Sequence, residues 1–293
     1  MSADWAAVVV NFEAGSLLTT CVESILADPT AGSVELVVVD NGSSDGSIEQ
    51  LRHAVPDARV VRAPGNVGYA RAANLGIAAT RAAIVAVFNP DLTIDQGSAK
   101  VILARFDTEP RLGACGPRVR NEDGSDYPSA RRVPSVPLAV AHGALGLWWP
   151  SNPFTARYRG LNADPAQARS VDWVSGAAIW LRRSALDAVG GWDERYFMYM
   201  EDVDLCWRLG RAGWDVAYEP AAGVVHTQGA STSRHPYRML IEHHRSAWRF
   251  ARKKFTGVRA LMLPLAGVYL AVRALGAMAE HALRASGRAG PGR

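Results

Sequence analysis

Apolar runs of strand length alternate with helix-length amphipathic segments through the first 120 residues, and no other feature of the chain constrains its fold as tightly. Strands are expected at Trp5–Asn11, Glu35–Val39, Arg59–Arg62, Ala83–Phe88 and Gly113–Val119. Helices are expected near Leu17–Leu26, Ser47–Ala54, Ala70–Thr80 and Gln96–Phe106. The strands are rich in Val and Ile and apolar on both faces, as strands buried in a parallel sheet must be. This βαβ rhythm predicts an α/β fold built on a parallel, doubly wound sheet. In such a sheet, ligands sit beyond the carboxyl ends of the strands, so the polar residues that close each apolar run become the candidates for chemistry.

The pattern changes after residue 120. Pro128, Pro134, Pro137, Pro150, Pro153 and Pro165 break any long helix, and residues 120–170 read as a wrapped loop region with short helices. Regular structure resumes with a strand over Val171–Arg182 and a helix over Asp202–Ala212. Two short strands follow, near Asp215–Tyr218 and Gly223–His226. From Tyr237 onward the pattern is helical, interrupted at Gly257 and Pro264. A length of 293 residues suits one large α/β domain with an appendage, or two small domains. Cys21, Cys115 and Cys206 are scattered and odd in number, which predicts reduced core thiols rather than a disulfide frame or a zinc site. No basic stretch precedes the apolar run Ala6–Val10, so that run is expected to be a first strand and not a signal peptide.

The net charge of +4 conceals an asymmetry. From Arg234 to Arg293 there are twelve Lys or Arg against two acidic residues, a local charge of +10, while the remainder carries −6. A basic tail on an acidic body suggests a polyanionic partner, phospholipid headgroups or nucleic acid. The uncharged run Ala260–Val272 has 13 residues, short of the roughly 20 that span a bilayer. It suits either an interfacial helix with basic side chains at headgroup level or a helix packed on the body, and the basic count favours the membrane surface.

Five motifs carry candidate chemistry. In Val37–Gly46 an apolar strand ends in Asp40 and Asn41, where a carboxylate can accept a hydrogen bond from a pyrimidine N–H or a ribose hydroxyl; Asp45 reads as a cap for the next helix. In Gly65–Gly76 a glycine-bearing loop with Asn66 and Gly68 opens a helix carrying Arg71 and Asn74, a place for a diphosphate or simply a loop and cap. There is no G-x-G-x-x-G with a following acidic residue, which argues against a dinucleotide dehydrogenase. In Val85–Asp91 a buried strand ends at Asn89-Pro90-Asp91, and Asp91 offers a hard oxygen to Mg²⁺ or Mn²⁺. In Gly190–Leu209 a loop crowded with aromatics opens a helix at Glu201 and Asp202, carboxylates that either cap the helix or serve as a base held ionised by its field. In Val224–Ser231, His226 closes a short strand and can ligate a metal through a neutral ring nitrogen.

Taken together and in this order, from about Ala6 to Ser231, the five motifs resemble family 2 glycosyltransferases of the GT-A fold. The resemblance implies that Asp40 contacts the nucleotide base, that Asp91 holds the metal position of the D-x-D motif, that Asp202 is the catalytic base and that His226 is the second metal ligand. Asn89 stands where the general motif has its first Asp; an N-P-D form is usual in the rhamnosyltransferase branch. The segments Tyr127–Ser135, Trp149–Thr155 and Asp193–Leu205 are similar to that branch, whose members move rhamnose from dTDP-L-rhamnose to a polyprenyl-diphosphate-linked GlcNAc in making a cell-wall linker.

The resemblance therefore implies an inverting, metal-dependent transferase using Mg²⁺ or Mn²⁺. Residues 1–233 would form the GT-A unit, with a nucleotide-binding part over 1–120 and an acceptor-binding part over 121–233; residues 234–293 would be a basic helical extension. Asp40, Asn41, Asn66, Gly68, Arg71 and Asn74 would hold the donor, and Asp91 and His226 the metal. Trp173, Ser175, Gly176 and Glu201 would line the acceptor site, with Arg131 and Arg132 either gripping a lipid diphosphate or lying solvated. The expected partners are the nucleotide sugar, the lipid-linked acceptor, an anionic membrane surface at the inner face of the cell membrane, and a second copy of the chain, with no nucleic acid. A transferase with another donor, such as galactofuranose or a different deoxysugar, and a non-catalytic nucleotide-sugar binder are the rival readings.

Overall fold

The computed structural model describes residues 3–133, 145, 149, 151–155, 163–227 and 236–288, with side chains described as far as residue 278. The 233/234 boundary, the polar loop Gln228–Ser231, and Pro134, Pro137 and Pro150 lie outside the described residues. In chain order the elements are β1 (Trp5–Asn11), α1 (Leu17–Leu26), β2 (Val34–Asp40), α2 (Ser47–Ala54), β3 (Arg59–Arg62), α3 (Tyr69–Ala78), β4 (Ile84–Phe88), β5 (Leu92–Ile94), α4 (Ser98–Thr108) and β6 (Leu112–Arg120). There follow β7 (Asp126–Tyr127), β8 (Ala130–Arg131), β9 (Arg169–Ser170), β10 (Trp173–Val174), β11 (Ala178–Arg182), α5 (Arg183–Val189), α6 (Glu201–Arg211) and β12 (Asp215–His226). A helical pair closes the chain: α7 (Pro236–Lys254), a 3-10 turn (Gly257–Met262) and α8 (Leu263–Arg288).

The main sheet runs β3-β2-β1-β4-β11-β6-β12-β5. Strands β3, β2, β1 and β4 are mutually parallel, β12 is parallel to β6, and β11 runs antiparallel between β4 and β6. The strand order reverses between β1 and β4, which opens a crevice at their carboxyl ends. Asn11 and Asp40 are register partners at that edge, and Phe88 closes β4 beside them.

Both faces of the sheet are covered, so β1 is buried along its whole length. On one face Trp5, Phe88 and Trp180 pack with Leu18, Val22, Ile102 and Leu112; on the other, Val8, Val39 and Val87 pack with Ala72, Ala73, Leu205 and Leu209. The Phe88 and Trp180 rings meet edge to face at 4.9 Å. All three cysteines are free and buried, as the scatter of thiols predicts, and burial pushes Cys115 and Cys206 up to about 12.

The helix and strand boundaries of the first 120 residues agree with the sequence reading to within about two residues, and four local differences have physical causes. The run Val171–Arg182 is not one strand but two, β10 and β11, because the chain leaves the ladder at 175–177: Ser175 N–H donates to Ser129 O at 2.7 Å and Gly176 N–H to Asp202 Oδ2 at 2.9 Å. The two short strands after Asp215 are one element, irregular between Glu219 and Gly223, where Pro220 has no N–H to donate. Pro264 does not interrupt a helix; it is the second residue of α8, a position whose N–H has no intrahelical partner to lose. Five elements have no counterpart in the reading above: β5, α5, and the two-residue strands β7, β8 and β9, which stand where a loop region with short helices is expected and are too short to show a periodicity.

Helix α3 approaches the sheet more closely than a side chain at its contact point allows. A Cβ on Gly76 would lie 2.2 Å from Val8 Cγ1 and 2.8 Å from Val39 Cγ2, both fully buried in β1 and β2. The clash outweighs the gain in helix propensity, so Gly76→Ala is expected to cost about 1–3 kcal/mol in denaturant unfolding. An unchanged or raised midpoint would show that α3 is free to shift.

Candidate active site

The nucleotide end is built by two apposed loops. Asp40, at the end of β2, is buried and accepts the Ser43 N–H at Oδ1 over 2.9 Å. Asn41 reaches across: its Oδ1 accepts the Val67 N–H at 2.9 Å and its amide donates to Asn66 Oδ1 at 3.3 Å. Asn66 Oδ1 also accepts the Gly68 N–H at 3.2 Å. The approach is too close for side chains at two positions. A Cβ on Gly42 would lie 2.9 Å from Asn66 N, and one on Gly68 (φ +87°) would lie 2.7 Å from Phe197 O.

Helix α3 begins at this seam. Arg71 is exposed, with its Nε 3.6 Å from Glu194. Asn74 is engaged on both sides of its amide: Oδ1 accepts the Trp192 N–H at 3.0 Å, and Nδ2 donates to Trp192 O at 2.9 Å and to Glu194 at 3.1 Å. In this arrangement Asn74 holds the Gly190–Glu194 loop against α3.

Asp91 and His226 are brought together by β5, which no sequence signal announces. Its three residues pair antiparallel with the end of β12, placing Leu92 opposite His226. That register sets Asp91 and His226 side by side, with Oδ1 and Nε2 3.0 Å apart and both side chains about nine-tenths buried. The Asn89 amide lies 3.4 Å from the same ring nitrogen, and Thr227 N–H donates to Asp91 O at 2.8 Å. Among the described residues no group of three or more His, Cys, Asp or Glu converges. The pair therefore offers one hard oxygen and one imidazole nitrogen to a cation. That set fits Mg²⁺ or Mn²⁺ only if phosphate oxygens and water complete an octahedron.

The start of α6 carries a pair of carboxyls, Glu201 and Asp202. Asp202, in the first turn of α6, is half-buried, and its oxygens accept the Gly176 N–H (2.9 Å) and the Val203 N–H (2.8 Å). Burial raises its carboxyl above the usual range, opposed by these amide donors and by the charge of Arg131. Glu201 beside it is buried with Oε2 unpartnered, and burial followed by repulsion from Asp202 pushes it up to about 8. Burial and mutual repulsion thus disfavour two charges on the pair, and the better-solvated Asp202, with its two amide donors, is the one favoured to ionise.

Arg131 lies over the Trp173 ring at 5.3 Å, and β8 and β10 pair these two residues directly. With Ser175 and Gly176 they form the wall beside Asp202. Tyr69 reaches this wall: its phenol donates to Gly176 O at 2.6 Å, and burial, then Glu201, Asp202 and Asp91 in turn, raise its pKa. Tyr69 lies inside the glycine-loop motif but had no chemistry of its own to mark it.

Helix α7 backs the aromatic loop. Ser246 donates to Met198 O at 2.9 Å, Arg238 lies over the Phe197 ring at 4.9 Å, and the Lys253 ammonium bridges Asp193 (2.9 Å) and Asp204 (2.7 Å).

A mostly parallel sheet with its crevice at the β1/β4 reversal, a carboxylate–imidazole pair and a buried carboxylate pair, defines a nucleotide-diphospho-sugar transferase of the GT-A kind. Residues 6–190 match glycosyl transferase family 2 and residues 162–279 match glycosyl transferase family group 2; the chain belongs to glycosyl transferase family 2. It is 40% identical over 261 residues to the N-acetylglucosaminyl-diphospho-decaprenol L-rhamnosyltransferase of Mycobacterium tuberculosis, covering 85% of this chain and 84% of that protein. The mannosyltransferase PcManGT from Pyrobaculum calidifontis, solved with GDP-Man and Mn²⁺, superposes with a TM-score of 0.58 at 18% identity, over 99% of this chain and 80% of that one. GalNAc-T7, solved with UDP, GalNAc and Mn²⁺, superposes with a TM-score of 0.58 at 15% identity, over 77% and 44%. These two likenesses show the fold.

Two predictions follow from the carboxyl pair. Between the ordinary carboxylate range and about pH 8 the folded protein keeps a proton on Glu201 that the unfolded chain has lost. Stability should therefore fall as pH rises through that window, by up to about 1 kcal/mol per pH unit. Glu201→Gln should flatten the slope in thermal unfolding measured from pH 5 to 8; an unchanged slope would remove Glu201 as its source. A Cβ on Gly176 would lie 3.3 Å from Asp202 Cβ, so Gly176→Ala should lower turnover with little change in nucleotide affinity, measured by titration calorimetry.

Proposed function

We propose that the chain is an inverting rhamnosyltransferase that moves L-rhamnose from dTDP-L-rhamnose to a GlcNAc-diphospho-polyprenol acceptor in cell-wall linker synthesis. The observation that carries the reading is the joining of Asp91 to His226 and of Asp202 to the Gly176 amide, with Tyr69 in the field of both carboxylates, in a chain 40% identical to a transferase of that name. Asp40, Asn41 and Asn66 face the base and ribose, and Gly68 and Arg71 lie where the α3 N-terminus favours the diphosphate. Asp91 and His226 would hold an Mg²⁺ or Mn²⁺ ion, which would supply charge neutralisation to the departing diphosphate.

Asp202 accepts the proton of the acceptor hydroxyl as that oxygen bonds to the anomeric carbon. The bond from that carbon to the phosphate oxygen breaks on the opposite face, releasing dTDP and inverting the centre. The Gly176 and Val203 amides hold the Asp202 carboxylate in place and favour its ionised form. Trp173 and Arg131 form the acceptor wall, with Arg131 near enough to Asp202 to meet an acceptor phosphate.

The C-terminal pair supports a peripheral site of action at the inner face of the cell membrane. Val258, Leu261, Leu265, Val268, Val272 and Leu275 are 60–84% exposed and recur at intervals of three and four, a single helical stripe. Residues Gly257–Met278 are long and apolar enough to cross a bilayer by composition alone. Packing of Gly267 against Trp248 ties α8 to α7 and leaves the stripe outward, the arrangement of a helix lying in the interface. A homodimer through the same stripe is the alternative occupant.

Asp202→Asn is expected to bind dTDP-rhamnose normally and to lose about 10²–10⁴ in transfer rate; near-normal turnover would sink the assignment. Below the raised pKa of Asp202, transfer by the unaltered enzyme should fall with pH. Excess EDTA should abolish transfer and Mg²⁺ or Mn²⁺ restore it, with Asp91→Asn insensitive to the restoration; full activity in EDTA would refute the metal. A chain ending at Thr256 keeps α7 and removes the stripe. It should sediment less with phosphatidylglycerol vesicles and act more slowly on a lipid acceptor than on a short soluble analogue. Equal sedimentation of the two chains, with dimers lost on truncation, would make the stripe a dimer surface.

A further inference from the structure

A second concavity lies away from the crevice, between the loop ahead of α6 and the outer face of α7. Its volume is about 620 Å³, and it is lined by Arg195, Arg245, Arg249, Arg252 and Lys253, with Trp248 and one carboxylate, Glu242. Residues 245, 248, 249 and 252 recur at helical spacing and share one face of α7. Of the five cations, two carry no ion pair among the described residues. Lys253 and Arg195 are paired with Asp193, and Arg245 with Glu242 at 3.0 Å. Arg249 donates to the Arg195 carbonyl and lies over Tyr196 at 5.6 Å, and among the described residues neither it nor Arg252 has a carboxylate within ion-pair distance. Guanidinium groups converging on one hollow with that surplus match a phosphate ester, whose oxygens they bond in pairs.

The position of the cleft separates it from the transfer site. Asp202 turns to Gly176, whereas Asp204, two residues along α6, turns to Lys253 at the edge of the cleft. Residues two apart on an α-helix project from nearly opposite sides, so the body of α6 stands between the cleft and the base. A phosphate in the cleft is therefore not the diphosphate of a sugar positioned at Asp202. The cleft is linked to the helix that bears the apolar stripe: Trp248 lines it and also packs on Gly267 of α8.

We propose that this cleft is a headgroup site for an anionic phospholipid, which seats the enzyme at the membrane through one phosphodiester while the α8 stripe enters the acyl layer. The site deepens the peripheral-membrane reading above and rests on it. It differs from attraction by net charge, because the headgroup engages particular arginines and other basic residues of the tail contribute less.

The test uses the full chain with two double variants, Arg245→Gln/Arg252→Gln in the cleft and Arg259→Gln/Arg273→Gln outside it. Arg245 and Arg252 make no bond to the aromatic loop, so transfer to a soluble acceptor should be unchanged in the cleft variant. Co-sedimentation is measured with vesicles of phosphatidylcholine alone and of phosphatidylcholine with phosphatidylglycerol. The cleft variant should lose about ten-fold more affinity for the anionic vesicles than the outside variant, and binding to neutral vesicles should be equal in all three proteins. Equal losses in the two double variants, or none in the cleft variant, would overturn the site while leaving the membrane reading intact. Failure of the unaltered chain to bind either vesicle would overturn both. Inorganic phosphate that raises the melting temperature of the unaltered chain as much as dihexanoyl-phosphatidylglycerol would make the cleft a free-phosphate site and overturn its lipid assignment.

Discussion

Tyr69 is the first residue of α3, and three parts of the chain meet on it. Its N–H donates to Phe197 O at 2.8 Å, its phenol to Gly176 O at 2.6 Å, and its ring packs edge to face on Trp192 at 5.8 Å. One residue thus ties the glycine loop before α3, the strand break at Ser175–Ala177 and the aromatic loop that leads into Glu201 and Asp202. The Gly176 carbonyl faces Tyr69 while its amide faces Asp202, so the peptide units around one glycine pass the position of α3 on to the carboxylate. Both bonds are buried or nearly so, where a missing partner costs about 1–3 kcal/mol. The crevice geometry depends on this clasp more than on any single ligand of the donor.

The loop between Tyr69 and the base is held under strain. Tyr199 and Met200 both take left-handed backbone angles, φ +68° and +66°, immediately before Glu201. Each costs of order 1 kcal/mol or more for a residue with a side chain, and such a conformation persists only where its surroundings overdetermine it. Those surroundings come largely from α7, through Ser246 on Met198 O, Arg238 over Phe197 and His243 against the Tyr199 ring at 5.5 Å. Burial brings His243 down to about 4, so this contact stays uncharged across the physiological range. The extension that carries the basic and apolar surfaces is thus also a wall of the aromatic loop.

Much of this was legible in the sequence because parallel strands buried on both faces announce themselves. The apolar runs ending at Asp40 and Phe88 located both edges of the crevice, and the aromatic loop before Glu201 marked the start of α6 with its Glu201–Asp202 pair. What could not be read were features whose cause lies in another part of the chain. Three residues at Leu92–Ile94 carry no periodicity, yet their pairing with β12 unites Asp91 and His226. The apolar run from Val171 predicts a continuous strand, and only the hydrogen bonds of Ser175 and Gly176 to distant partners break it. Asn74 reads as a polar residue near a phosphate loop, and its bonds to Trp192 arise from a segment 118 residues away. Likewise Lys253 looks like one cation among many in a basic tail until Asp193 and Asp204 are seen on either side of it.

The union of Asp91 with His226 through a three-residue strand has a consequence for how this family's chains can vary in length. Side chains alternate across a strand, so removing one residue between Gly223 and His226 would present Thr227 in place of His226 and turn the neighbouring residues to the other face. The irregular stretch between Glu219 and Gly223 lies just upstream and is already out of register with β6. Insertions there can be absorbed as a larger bulge, while those four residues downstream must keep their count. Evolution can lengthen this strand on one side of Gly223 and not on the other, which makes the spacing after that glycine, rather than the identity of the residues in it, the quantity that descent has to preserve.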